Sequence, residues 1–370
     1  MKGVRSLVRK LVARLKPGQR KSVDFYAATW IDEIWVRSSA LAARRARFAI
    51  RMVISGDRTT WPEELAARYA EADIPLEWAP TVEVLHSLGM RVVVTASSGI
   101  PRSYFGESLA RLIHMPHSLA SLHAIYPADA FDGCDTLFAA GPHHTREFQA
   151  LGAANGLGPR ACFAAGYGKF DVMRTEAPAK SIEQGRHVLV APSWGENNLL
   201  SRHGLALTET LVEAGWRVTL RPHPSFFVYP DGQLDSILVR FADHPSVAVE
   251  RSTGGSCALW QADVMISDYS GMALEYAALR SRPVVFVDGP RKILNPHWEA
   301  VGVPAVEIDM RERLGLIADS APEAVLAALD DVGNNRPSMS EVIADFLHDE
   351  PHVGEKVVAL LGTVIAETQR

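Results

Sequence analysis

Residues 263–288 read DVMISDYSGMALEYAALRSRPVVFVD, and this stretch decides the fold. Val264-Met265-Ile266 is a short apolar run suited to a buried strand. Ser267-Asp268-Tyr269-Ser270-Gly271 is a polar turn, and Met272 to Leu279 has a helical composition free of Gly and Pro. Arg282-Pro283 stops that helix, and Val284-Val285-Phe286-Val287 is a second buried strand. The order strand, turn, helix, strand is one βαβ unit. Ligands of such units bind beyond the carboxyl ends of the strands. Here that point is the Ser267–Gly271 turn. Free backbone N–H groups, hydroxyls and the positive end of the helix dipole favour a phosphate there. Helix capping by Ser and Asp accounts for the same residues without any ligand.

Working outward, strands and helices alternate on both sides. HVLVAPS, RVTLRPHP and VAVE precede the unit as strands, with LALTETLVEAG as a helix. Upstream, RFAIRMVIS, LEW, RVVVTASSG, DTLFAAG and ACFAAG read as strands. WPEELAARYAEA, TVEVLHSLG and HHTREFQALG read as helices, Asp24 to Ser55 mixes aromatic and Arg-rich helical stretches, and GYGKFD reads as a turn. The polar stretch VMRTEAPAKSIEQGR, with Pro178 and Gly185, reads as a linker. The expected fold class is α/β, with two doubly wound Rossmann-like domains facing a cleft. The expected boundaries are 1–22 for a basic amphipathic helix, 23–172 for an N-terminal domain, 187–340 for a C-terminal domain and 341–370 for C-terminal helices.

A chain of 370 residues suits two domains. Its net charge of −5 gives no argument for a nucleic-acid partner. Cys134, Cys162 and Cys257 have no metal-ligand spacing, which points to a cytosolic chain without structural disulfides. Residues 2–21 carry eight Lys or Arg and no acid, with Val4, Leu7, Val8, Leu11, Val12 and Leu15 at helical spacing. Such a helix can lie peripherally on an anionic membrane surface such as the inner face of the cell membrane, and a solvated or domain-packing helix fits the pattern as well.

Three constellations can carry chemistry. The first is His114-Met115-Pro116-His117-Ser118. An imidazole accepts a proton near neutral pH, and a Ser binds a phosphoryl oxygen or caps a helix; a loop histidine without a role is the plainer account. The second is Arg221-Pro222-His223-Pro224, directly after a strand. The prolines stiffen the loop and remove donors, and Arg221 suits a phosphate; a rigid turn that happens to hold His is the alternative. The third is Ser267, Asp268, Ser270 and Gly271, with Glu275 one turn on. Glu275 suits a ribose hydroxyl or is a helix-start charge.

In that order the motifs resemble the CDP-glycerol glycerophosphotransferases of teichoic-acid and capsule polymer synthesis. That family's His-Gly-Thr-Pro loop is similar to His114–Ser118, and its Gly-Tyr-Pro-Arg-x-Asp turn to Gly166–Asp171. Its Ala-Pro-Thr-Trp is similar to Ala191–Trp194, its His-Pro loop to His223-Pro224, and its Thr-Asp-Tyr-Ser-Ser turn with the following helix and strand to Ser267–Phe286. The resemblance implies a GT-B type fold and attack of an acceptor hydroxyl on the β-phosphorus of a CDP-activated polyol, with CMP leaving. It implies His114 as general base, His223 on the donor pyrophosphate, Ser270 and Gly271 on phosphate oxygens, and Glu275 near the donor. A lipid-linked or saccharide acceptor follows. No Asp-x-Asp motif is evident, so neither metal nor cofactor is expected. The departures are real: either His114 or His117 can take the base role, and Gly271 removes one hydroxyl from the turn. A GT-B nucleotide-sugar glycosyltransferase and a non-catalytic nucleotide-binding relative use the same pattern.

Overall fold

The computed structural model describes residues 22–178, 185–195, 197–224, 226, 232–251, 255–332 and 339–368. The basic segment 2–21 lies outside the described residues. The chain forms two compact units. The first runs up to His117, continues over Tyr126–Arg174 and takes back the chain from Leu347. The second comprises Ser118–Ile125 and Thr175–Phe346.

The first unit is built on seven parallel strands: β1 (Ser22–Ala27), β2 (Ala49–Ile54), β3 (Leu76–Trp78), β4 (Val92–Thr95), β5 (Arg111–His114), β6 (Thr136–Ala139) and β7 (Ala161–Ala164). Their order across the sheet is β3-β2-β1-β4-β5-β6-β7, so the chain reverses direction of travel between β1 and β4. β1 is the strand that the sequence pattern conceals. Val23, Phe25, Tyr26 and Ala27 are buried, yet Asp24 interrupts the apolar run. The structure explains the interruption: Asp24 is opposite Arg51 in the β1–β2 register, and Arg51 Nε donates to its carboxylate at 2.6 Å. The paired charge is neutralised inside the sheet, where an unpaired carboxylate would be costly.

The stretch GYGKFD also differs from its expected turn. Gly168–Thr175 is a helix, and the Asp171 carboxylate accepts the Val353 and Gly354 N–H groups at 3.0 and 2.8 Å. Those are the first residues of the helix Val353–Thr368, whose free N–H groups need such partners. That helix packs on the helix Glu33–Arg45, with Val353, Val357, Leu361, Val364 and Ile365 buried in the first unit's core. Gly354 permits the close approach, since a Cβ there would overlap the Ser38 carbonyl oxygen. The C-terminal helical region is therefore split: Met339–Ala344 belongs to the second unit and Val353–Thr368 to the first.

The second unit has six parallel strands: β8 (His187–Val190), β9 (Arg217–Leu220), β10 (Val247–Val249), β11 (Val264–Ser267), β12 (Val284–Val287) and β13 (Gly315–Ala318). The order is β10-β9-β8-β11-β12-β13, with the reversal between β8 and β11. β8, β11 and β12 are buried along their whole length, as all-parallel central strands require. β11, the helix Gly271–Arg280 and β12 form the expected βαβ unit, with Met265 opposite Val284 and Ser267 opposite Phe286. The helix closes at Ser281, which takes the left-handed conformation (φ 49°) just before Arg282-Pro283. Among the described residues no helix is long and apolar enough to cross a membrane.

Candidate functional site

In open α/β sheets the ligand crevice lies where the strand order reverses. In the second unit this is the gap between the loops after β8 and β11, and Asp268 bridges it. Its carboxylate accepts Ser193 N–H at 2.7 Å, Ser193 O–H at 3.1 Å and Leu199 N–H at 3.1 Å. Burial raises the Asp268 pKa, and the three donors oppose that rise. Next to it, the Ser267 hydroxyl donates to the Ala191 carbonyl at 2.7 Å and is fully buried. Both side chains thus hold the β8 loop against the β11 turn. They shape the crevice rather than offering free groups to it.

Two helices begin at this crevice, and their starts differ. In Leu199–Glu213 the first N–H groups are already taken: Leu199 by Asp268, Leu200 and Ser201 by the Asn198 side chain at 2.9 and 3.1 Å. In Gly271–Arg280 the cap is the neutral Ser270 hydroxyl, which accepts Met272 N–H at a long 3.3 Å. The second helix start has no carboxylate in its first turn, so the helix dipole is not offset there. A Cβ on Gly271 would overlap the hydroxyl of Ser118, and Ser118 Oγ accepts Ala120 N–H at 3.1 Å. The hydroxyl absent from residue 271 is therefore replaced in space by that of Ser118, held at the same helix start by the segment Ser118–Ile125.

The cations stand on the flanking loops. Arg221 opens the loop after β9 with only 7% of its surface exposed, and among the described residues its Nη1 has no hydrogen-bond partner. Burial lowers its pKa, while Glu250, Glu275 and Glu176 pull it back up. Glu275, buried on the helix Gly271–Arg280, belongs to this acidic surround. His223 is half-buried, with its ring 6.0 Å from that of Trp194. Lys292, in the loop after β12, places its Nζ 4.3 Å from the centre of the Trp194 ring. Burial pushes its pKa down to about 8, against the pull of Asp268 and Glu307. The sequence reading passed over Lys292; its only signal was a basic residue in a loop after a βαβ strand. Loops after four adjacent strands, β9, β8, β11 and β12, thus contribute Arg221 and His223, Trp194, the Ser270–Gly271 turn and Lys292.

The first unit holds the other two histidines. His114, the last residue of β5, is wholly buried with its ring 4.9 Å from that of Phe131. Neither ring nitrogen has a hydrogen-bond partner among the described residues. Burial holds its pKa well below the usual value, with His117 and His144 adding to the effect. His117 is half-buried and hydrogen-bonded on both sides. Its Nδ1 is 2.8 Å from the Ala96 carbonyl, so Nδ1 carries the proton, and Nε2 accepts the Tyr126 hydroxyl at 3.0 Å. The Tyr167 hydroxyl donates to the His117 carbonyl at 3.0 Å and accepts the Trp35 indole N–H at 2.7 Å. The Gly166–Asp171 motif thus positions His117 through Tyr167 and anchors the last helix through Asp171.

No family profile and no curated protein sequence matches the chain. Solved structures do match over nearly the full length of both partners. A Listeria monocytogenes structure described as a UDP-N-acetylglucosamine 2-epimerase aligns with TM-score 0.63 and 13% identity, covering 95% of this chain and 98% of that one. The wall teichoic acid polymerase TagF, soaked with CDPG, aligns with TM-score 0.59 and 15% identity over 100% of this chain and 95% of that one. The Methanocaldococcus jannaschii UDP-GlcNAc 2-epimerase, in complex with UDP-GlcNAc and UDP, aligns with TM-score 0.57 and 12% identity over 92% and 99%. The fold is of the GT-B type. At such identities the likeness establishes the GT-B fold and nothing finer.

The Ser118–Gly271 contact gives a direct test. Gly271→Ala forces the Ser118 hydroxyl aside and should destabilise the second unit by about 1–3 kcal/mol in denaturant titration. In the double variant Ser118→Ala, Gly271→Ala most of that loss should return, because the overlapping atom is gone. Strict additivity of the two single changes would show that the two residues do not meet.

Proposed function

We propose that the chain is a GT-B transferase of cell-surface polymer synthesis that moves a polyol phosphate from a CDP-activated donor to an acceptor hydroxyl. The observation that carries this reading is Arg221, a nearly buried guanidinium whose Nη1 meets no partner among the described residues. A buried guanidinium N–H without an acceptor is costly, and a diphosphate oxygen at Nη1 repays that cost. Arg221, Lys292 and the start of the helix Gly271–Arg280 supply positive charge at the carboxyl ends of neighbouring strands, as a donor diphosphate requires. His223 suits the pyrophosphate between them. The acceptor hydroxyl oxygen attacks the β-phosphorus, the bond to CMP breaks, and the hydroxyl proton passes to a neutral imidazole. His117 suits that proton better than His114. Its tautomer is fixed by Ala96, and Nε2 takes the proton by way of, or in place of, the Tyr126 hydroxyl that it accepts, whereas His114 is sealed from solvent. A lipid-linked or saccharide acceptor fits the reading.

A second reading has its own support. Structures described as UDP-GlcNAc 2-epimerases align as well as TagF does, and a UDP-sugar presents the same diphosphate. Release of CMP from CDP-glycerol or CDP-ribitol, against release of UDP from a panel of UDP-sugars, separates the two. Cytidine-specific turnover that falls by orders of magnitude in His223→Ala, at unchanged melting temperature, is the expected result. Uridine-specific turnover replaces the polyol reading with the sugar one. Absence of turnover with every donor rejects both.

Lys292 adds a pH signature. Its charge is lost as pH rises through about 8. Affinity for a nucleoside diphosphate should therefore weaken above that pH, by at most about tenfold per pH unit. Lys292→Arg, which keeps its charge, should flatten the profile. A wild-type profile that is flat from neutral pH to well above this value would remove Lys292 from the site.

A further inference from the structure

Three donor groups in the first unit stand together without any part in the reading above. They lie at the start of the helix Pro142–Ala154, which follows β6. Pro142 occupies the first turn, and His143 and His144 come directly after it. Glu147 is four residues beyond His143 and three beyond His144, so both imidazoles are helix-surface neighbours of one carboxylate. One ligand atom from each of His143, His144 and Glu147 lies within 4.8 Å of the other two. The two rings are 3.8 Å apart between centroids, tilted by 42°. All three side chains are buried, at 3%, 0% and 1% exposure.

We propose that His143, His144 and Glu147 bind a divalent transition-metal ion of the zinc class. Two imidazole nitrogens and one carboxylate oxygen form the open three-ligand set that such ions accept at four-coordinate sites. Calcium and magnesium are poor fits, because they need six or more oxygens or near-octahedral geometry with retained waters. Electrostatics agree with the assignment. A helix start disfavours a cation, and Glu147 supplies the negative charge that offsets it. Tetrahedral spacing around bonds of about 2.0–2.1 Å is about 3.4 Å, so the donor atoms need to close up by at most about 1.5 Å, which side-chain rotation permits. The fourth position falls to water or to His114, which ends the neighbouring strand β5 within electrostatic reach of His144. An adjacent His-His pair with Glu three residues on has none of the cysteine or Asp-x-Asp spacing by which sequence reading finds metals, so no metal was expected from the sequence.

The test uses the full chain, stripped with chelator and titrated with Zn2+ or Co2+ alone. The proposal predicts about one equivalent bound per chain, a higher melting temperature with metal, and visible absorption from Co2+ in a tetrahedral site. Glu147→Gln, which keeps the shape of the side chain, and His144→Ala should each lose stoichiometric binding and the thermal shift. Should His144→Ala fail to fold, the wild-type Co2+ spectrum and Glu147→Gln decide alone. Wild-type protein that retains under about a tenth of an equivalent overturns the proposal, as does wild-type affinity in Glu147→Gln, which would place the ion elsewhere.

Discussion

The second unit depends on one buried carboxylate. Asp268 gathers the loop after β8, the turn after β11 and the start of the helix Leu199–Glu213 into a single hydrogen-bonded knot. The knot sits at the reversal of strand order, just beyond the paired ends of the neighbouring strands β8 and β11. It takes the Leu199 N–H at one helix start, whereas the other, at Ser270 and Gly271, is capped by the neutral Ser270 hydroxyl. Trp194 stands in the loop that this knot ties down at Ser193, and Lys292 rests its Nζ over the Trp194 ring. Asp268, grouped in the sequence with the phosphate-binding turn, thus spends its carboxylate on Ser193 and Leu199.

Much of the fold was legible because parallel central strands are continuous apolar runs and their helices carry capping residues. The unit from β11 to β12 is the clearest case, with buried strands, a Ser270 cap and a stop at Arg282-Pro283. β1 was not legible, because its Asp24 is paired with Arg51 on a strand neighbour that sequence order does not reveal. The return of the last helix to the first unit was hidden for a similar reason: its docking depends on a carboxylate, Asp171, some 180 residues away, and on the missing side chain of Gly354. Long-range partners are what a pattern of local periodicity cannot carry.

The candidate site shows the same division. Asp268, Arg221, His223 and Glu275 could be picked out because each follows a strand end or a capping position. What each does could not. Two of the five motifs in the family resemblance prove to be largely architectural: Gly166–Asp171 holds His117 and the last helix, and Ser267-Asp268 holds the β8 loop. The apparent loss of a hydroxyl at Gly271 is made good by Ser118, a residue 153 positions earlier that was singled out in the sequence for another motif. Burial separates the two histidines that the sequence left equivalent. His114 is a sealed ring whose nitrogens have no hydrogen-bond partner among the described residues, and His117 has a defined tautomer and the Tyr126 hydroxyl on Nε2.

The most direct measurement is calorimetric titration of CDP and UDP into the wild-type chain and Asp268→Asn. The variant keeps the size of the side chain but turns one accepting oxygen into a donor facing Ser193 or Leu199, so the knot must open. The account predicts that the nucleotide bound by the wild type loses at least about tenfold in affinity, some 1.4 kcal/mol, together with a lower melting temperature. Equal affinity in the two proteins, with the melting temperature reduced or not, would show that the knot at Asp268 does not build the nucleotide site.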